Sequence, residues 1–167
     1  MMKKKLLIIR HAKAENGDFK IEDFDRPLSQ TGIDEAEEMG QKLLQKNIIP
    51  DGIVSSPALR AISTAQLISN ECGFNQKNII LEPNIYEASV SQILKSINNI
   101  DNSLNFVALL GHNPGLTMLA RDLTNADISD MPTCGMVMVE FELEDWEFIT
   151  AGTGNLLWED SPRSKHF

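Results

Sequence analysis

Cysteine is scarce in this chain. Only two of its 167 residues are cysteines, Cys72 and Cys134, far apart and without CxxC spacing, so neither a disulfide framework nor a zinc site is indicated. A reducing compartment fits that usage, and the cytoplasm is the location expected. Positive charge is also in short supply: 15 Lys and Arg against 24 Asp and Glu leave a net charge of −9. Such a surface repels phosphate backbones over most of its area and excludes a nucleic-acid binder, so any anion must bind in a local basic pocket. Nothing reads as a membrane segment. Lys3-Lys4-Lys5 followed by Leu6-Leu7-Ile8-Ile9 resembles the start of a signal peptide, but Arg10 and His11 end the apolar run after four residues. Glycine-rich phosphate loops are missing too. No GxGxxG or Walker sequence follows the first apolar run, which disfavours a nucleotide-binding module, and no GxSxG elbow surrounds Ser55 and Ser56. Internal repeats, linkers and low-complexity tracts are absent.

What remains is the pattern of one folded domain over residues 1–167, with 42% hydrophobic residues. Short apolar runs alternate with amphipathic stretches, the signature of an α/β fold: three layers, a mostly parallel central sheet, and helices on both faces. Strands are expected at 5–9, 52–55, 79–81 and 105–110. Residues 31–46 place Ile33, Ala36, Met39, Leu43 and Leu44 on one helical face. A second helix is expected from Ser56 as cap and Pro57 as first residue, a third over 90–98, and a fourth from Asn113 as cap and Pro114 as first residue. Met136–Leu143 and Trp146–Ala151 read as a C-terminal β-hairpin. The tail from about Asp160 to Phe167 is expected to be mobile.

Open α/β sheets bind ligands at the carboxyl ends of their strands. Here the first strand ends in Arg10-His11, the second leads through Ser55-Ser56-Pro57 to Arg60, and the strand at 105–110 ends in Gly111-His112. Two arginines and two of the chain's three histidines therefore converge on one edge, the third, His166, being in the tail. Guanidinium groups match the three equatorial oxygens of a phosphoryl group in flight, and a neutral imidazole is a competent nucleophile toward phosphorus. His11 is the expected nucleophile, its other ring nitrogen held by a backbone carbonyl. His112 is the expected charged donor to the phosphoryl oxygens, beside the helix start at Asn113-Pro114-Gly115, whose N–H groups favour anions. Arg26, in "DFDRPLS", either adds a cation at the pocket mouth or only pairs with Asp23 or Asp25. A magnesium-dependent receiver domain fails on charge, because its strand ends need carboxylates.

The segments "LLIIRHAKAE", "DFDRPLSQTG", "DGIVSSPALRAISTAQ", "NIYEAS" and "LLGHNPGL" resemble, in order and spacing, the motifs of the histidine phosphatase superfamily, also called phosphoglycerate mutase-like, and in particular its short SixA-type phosphohistidine phosphatase branch. The likeness spans roughly residues 5 to 150. It implies that His11 becomes phosphorylated, that Arg10, Arg60 and His112 form the phosphate pocket, and that neither metal nor cofactor is needed. It places the general acid at Glu87, with Glu15 and Asp18 as competitors. Ala12 stands where the superfamily at large often has glycine, a departure the short branch tolerates. The implied substrate is phosphohistidine on a partner protein, such as a histidine-phosphotransfer domain. The alternatives are a small phosphomonoester or a phosphate-binding module without turnover. Few residues separate Arg60 from His112, and the expected strands and helices consume nearly all of them, so an open pocket suited to a protein-borne phosphoryl group is expected.

Overall fold

The apolar run near the N-terminus forms β1 (Lys4–Arg10), and its two faces enter two different cores. Leu6 and Ile8 join one buried cluster, Leu7 and Ile9 the other, as the period-2 geometry of a strand requires. β4 (Phe106–Gly111) repeats the division, with Val107 and Leu109 on one side and Ala108 and Leu110 on the other. A strand covered on both faces reads as an unbroken apolar run, which is why these two stand out in the sequence. The computed structural model describes residues 3–18 and 20–162.

Helices α1 (Gln30–Gln45) and α2 (Leu59–Cys72) cover one face through Ala36, Met39, Leu43, Ala65 and Ile68. The other face carries α3 (Val90–Asn98) and α4 (Gly115–Thr124) through Ile93, Ile97, Leu116 and Leu119. With β2 (Gly52–Ser55), β3 (Ile79–Leu81), β5 (Met136–Phe141) and β6 (Gly154–Asp160), the sheet has the order β3-β2-β4-β1-β5-β6. The first four strands are parallel, β5 runs antiparallel to β1, and β6 runs antiparallel to β5. This is the three-layer α/β architecture expected. Among the described residues no helix is long and apolar enough to cross a membrane.

The C-terminal hairpin is present, but its second strand lies later than the sequence suggests. Trp146–Phe148 is a 3₁₀ turn, and Trp146 is fully buried as a plug in the core beside α3 and α4. Its indole N–H donates to the Leu104 carbonyl at 2.8 Å, and the Asn98 amide takes the carbonyls of Trp146 and Ile149 at 2.8 and 3.0 Å. The apolar pattern of 146–149 therefore serves burial, and side chains satisfy a backbone that a strand would have paired. Lys4, also fully buried, reaches the carbonyls of Asn102 and Leu104 and Asn105 Oδ1 within 3.1 Å, so its charge does not go unpaired. The expected mobile tail begins too early, because Asp160 closes β6 in register with Met136. Residues 163–167, His166 among them, lie outside the described residues.

Candidate active site

The carboxyl ends of β1, β2 and β4 meet because β4 inserts between the other two: Arg10 pairs with Gly111, and Ser55 with Leu110. His11 directly follows β1 and is pinned through its backbone. Its N–H donates to the Gly111 carbonyl at 3.1 Å and its carbonyl accepts from Cys134 N–H at 3.0 Å, while the next N–H, of Ala12, donates to Thr64 Oγ1 at 2.9 Å. His11 Nδ1 lies 2.7 Å from the Ala12 carbonyl. A carbonyl can only accept, so Nδ1 carries the proton and Nε2 keeps its lone pair. Burial, reinforced by the positive charges of Arg60, Arg10 and Arg26 and opposed by the Ala12 bond, pushes the His11 pKa down to about 4. At neutral pH its Nε2 is an unprotonated nitrogen in the field of Arg60, Arg10 and Arg26.

His112 follows β4, and its ring centroid lies 5.2 Å from that of His11. Its Nε2 is 2.7 Å from Ser56 Oγ, and its buried Nδ1 has no hydrogen-bond partner among the described residues. Burial, together with His11, Arg60 and Arg10, lowers its pKa to about 3, with Asp23 opposing. Under the charges the protein itself supplies, His112 is therefore neutral at neutral pH, because two imidazoles and the guanidiniums crowd one desolvated space. Ser56 does not cap α2 as expected. Its N–H continues the sheet pairing to the Leu110 carbonyl at 2.9 Å, the helix begins only at Leu59, and Ser56 Oγ receives the Ala58 N–H at 3.2 Å.

Arg10 and Asn113 share one acceptor. Both donate to the Met131 carbonyl at 3.0 Å, and Asn113 Oδ1 accepts from the N–H and hydroxyl of Thr117. Through these bonds Asn113 ties the start of α4 to the 131 segment, while one N–H of its amide has no partner among the described residues. Pro114 precedes the helix, which starts at Gly115. Arg10 Nε remains buried and unpartnered.

Arg60, in the first turn of α2, is buried and faces a residue the sequence reading treated only as a partner for Arg26. One terminal nitrogen donates to the Asp23 carbonyl at 2.7 Å and the other to Asp23 Oδ2 at 3.1 Å. Asp23 also accepts from the Tyr86 hydroxyl at 2.7 Å and from Arg26 Nε at 3.0 Å. The Tyr86 bond, helped by the two arginines, holds its pKa at about 2 against the opposing effect of desolvation. Of the two partners the sequence offered, Arg26 pairs with Asp23, and its charge is among those that lower the His11 pKa. Asp23 sits in the quoted "DFDRPLS" and Tyr86 in "NIYEAS", so the segments were visible. A tertiary contact between positions 63 apart was not.

Tyr86 and Glu87 follow a 3₁₀ turn (Pro83–Ile85) that closes on the strand ends because two neighbours lack side chains. A Cβ at Gly111 would come within 2.9 Å of Ile85, and one at Gly115 within 2.9 Å of the Ala88 carbonyl. Glu87 itself is exposed in a left-handed backbone conformation (φ 51°), and its side chain makes no hydrogen bond among the described residues. Asp18 is committed to its own loop, accepting from the N–H groups of Lys20 and Ile21. The Glu15 carbonyl receives Arg26.

A neutral imidazole with a fixed tautomer, facing guanidiniums at the carboxyl edge of a largely parallel sheet, is the equipment of a phosphatase-type hydrolase. Residues 6–94 match the profile of the histidine phosphatase superfamily (branch 1), and the chain belongs to that superfamily. An uncharacterised chloroplastic protein of Arabidopsis thaliana is 29% identical over 161 residues, 90% of this chain and 73% of its own length. Among solved structures, a protein provisionally described as the phosphohistidine phosphatase SixA of Agrobacterium tumefaciens is 25% identical, with a TM-score of 0.82 over 95% of this chain and 98% of that one. The protein histidine phosphatase SixA complexed with tungstate shares the fold at a TM-score of 0.79 and 23% identity, covering 95% of this chain and 97% of its own.

Proposed function

We propose that this protein is a metal-independent phosphatase that removes the phosphoryl group from phosphohistidine on a partner protein, such as a histidine-phosphotransfer domain, through a phosphohistidine formed on His11. The observation that carries the reading is the Nδ1–H donation from His11 to the Ala12 carbonyl, which leaves Nε2 unprotonated at neutral pH.

In the first step His11 Nε2 attacks phosphorus, and the bond from phosphorus to the substrate imidazole breaks. The imidazole departs with the electron pair, and the proton it already carries on its other nitrogen leaves it neutral. Water then attacks the phosphorus, the bond to His11 breaks, and inorganic phosphate forms. Arg10 and Arg60 bring permanent positive charge to the equatorial oxygens, with buried Nε groups that have no protein partner. Arg26 adds charge at the mouth.

Two facts favour a protein-borne substrate. The chain between Arg60 and His112 is spent on α2, β3, α3, β4 and the short turns that join them, leaving no added roof over the site. The similar SixA structures share that compact form, and one of them holds tungstate, a tetrahedral oxyanion. Both cysteines are buried and unpaired, which suits the reducing cytoplasm to which we assign the protein.

The test is a rapidly quenched reaction with phosphorus-labelled phosphohistidine protein in excess chelator. The expected result is an acid-labile phosphate on the enzyme that is absent from His11→Ala, with turnover unaffected by the chelator. Substantial turnover by His11→Ala would overturn the mechanism. Faster turnover of small phosphomonoesters than of phosphohistidine protein would overturn the substrate.

A further inference from the structure

Aromatic rings run without interruption from the nucleophile to the surface. The His11 and His112 centroids are 5.2 Å apart, Tyr86 meets His112 edge-on at 5.6 Å, and Phe24 meets Tyr86 edge-on at 5.1 Å. Exposure rises along the series, from His11 at 8% to Phe24 at 39%. Neither outer ring is there to fill the core. The 3₁₀ turn that carries Phe24 (Asp23–Asp25) buries none of its residues, and polar contacts to the site hold it: Asp23 to Arg60, Arg26 and Tyr86. The same Asp23 bond fixes the Tyr86 ring, since swinging it away would break a hydrogen bond to a carboxylate.

Position gives these rings a use. In-line displacement puts the leaving group on the side of phosphorus opposite the attacking nitrogen. His11 is buried, so a leaving group displaced by its attack departs outward, the direction in which the ring series runs through Tyr86 to the exposed Phe24. We propose that Phe24 and Tyr86 form a recognition wall for a planar leaving group, so that the site selects phosphoryl groups carried on an aromatic ring over those on aliphatic atoms. This rests on the phosphatase reading above and narrows it to a substrate class. A ring gains edge and face contacts from the wall, and a phosphoimidazole that is protonated also presents a cation to it. An aliphatic phosphate offers neither.

Binding and turnover test this separately. Phenylphosphonate and methylphosphonate cannot be hydrolysed, and their affinities are measured by calorimetry for wild type, Phe24→Leu and Tyr86→Phe. Wild type is expected to prefer the phenyl compound by about tenfold or more. Phe24→Leu, which keeps apolar bulk and loses the plane, should reduce that preference to about twofold with methylphosphonate affinity unchanged, whereas Tyr86→Phe, which keeps the ring, should retain most of it. Absence of a phenyl preference in wild type, or equal weakening of both ligands by Phe24→Leu, overturns the wall. In turnover, Phe24→Leu should lower kcat/KM for phosphohistidine and an aryl phosphate but spare phosphoramidate, which has a P–N bond and no ring. An intact phenyl preference in a protein that does not hydrolyse phosphohistidine would sustain the wall while overturning the substrate reading.

Discussion

The Asp23 carboxylate lies against the guanidinium of Arg60, Oδ2 at 3.1 Å from one terminal nitrogen and the Asp23 carbonyl at 2.7 Å from the other. With a pKa near 2 it stays ionised at any working pH, so it cannot act as a proton donor. It presents Arg60 with the same kind of anionic oxygen that a phosphoryl group would present. Asp23→Asn is therefore expected to tighten tungstate inhibition by about tenfold, because one negative charge near the incoming oxyanion is removed. Weaker tungstate inhibition would show that Asp23 chiefly holds Arg60 in position.

Arg60 is expected to matter far more to rate than its neighbour at the mouth. Arg60→Ala should lower kcat about a hundredfold or more, the loss typical of a donor aimed at transition-state charge. Arg26→Ala should cost much less, because its guanidinium is spent on Asp23 and the Glu15 carbonyl. Steady-state rates on one aryl phosphate compare the two, and equal losses would place Arg26 on the phosphoryl oxygens.

Both histidines titrate below their unfolded value, near 4 for His11 and near 3 for His112. The unfolded chain therefore takes up protons first as pH falls through 6.5. Stability is complete above about pH 6.5 and declines toward pH 4, by up to about 1.4 kcal/mol per pH unit for each histidine. Urea denaturation at pH 7 and pH 5 measures the loss, and ring nitrogen resonances report each site; titration of either ring near 6.5 would show that burial and the neighbouring charges do not depress it. Binding of a dianion reverses the field on His112, so tungstate binding at pH 5 to 6 should be accompanied by proton uptake, seen as a buffer-dependent binding enthalpy. The charged donor anticipated from sequence would then arise on binding.

Legibility followed how local each determinant is. β1, β2 and β4 show as apolar runs bounded by Arg10, Ser55 and Gly111, and these strand ends deliver His11, Arg60 and His112 to one edge; the sequence order of three short motifs suffices to see that. Asp23 and Tyr86 were invisible as a pair because nothing local links an aspartate in one loop to a tyrosine in another. The same applies to the hairpin, where Trp146 carries the apolar character of a strand but is drawn into the core by Leu104 and Asn98. Asn113 has a structural part that the sequence did not show: its amide joins the Met131 carbonyl to Thr117 at the start of α4, a link between segments that no local pattern reveals.

Glu87 is the remaining candidate for a general acid, and the leaving group decides its role. Expelling an alkoxide is hard, because the departing oxygen belongs to an alcohol with a pKa of the order of water's, about 15.7, so a proton must arrive as the bond breaks. Imidazole leaves more readily, since its conjugate acid has a pKa near 6.5 and a phosphoimidazole can already carry the needed proton at neutral pH. Glu87 is exposed beside Tyr86 and makes no side-chain hydrogen bond among the described residues, so none of them ties its carboxyl to one orientation. Glu87→Gln is expected to slow an alkyl phosphate by about 10²-fold or more while leaving phosphohistidine and an activated aryl phosphate within a few-fold of wild type. Comparable slowing of all three substrates would make Glu87 a positioning residue for the Tyr86 segment. No effect on any of them, with the leaving-group pattern appearing in Glu15→Gln instead, would move the acid to the other side of the pocket mouth.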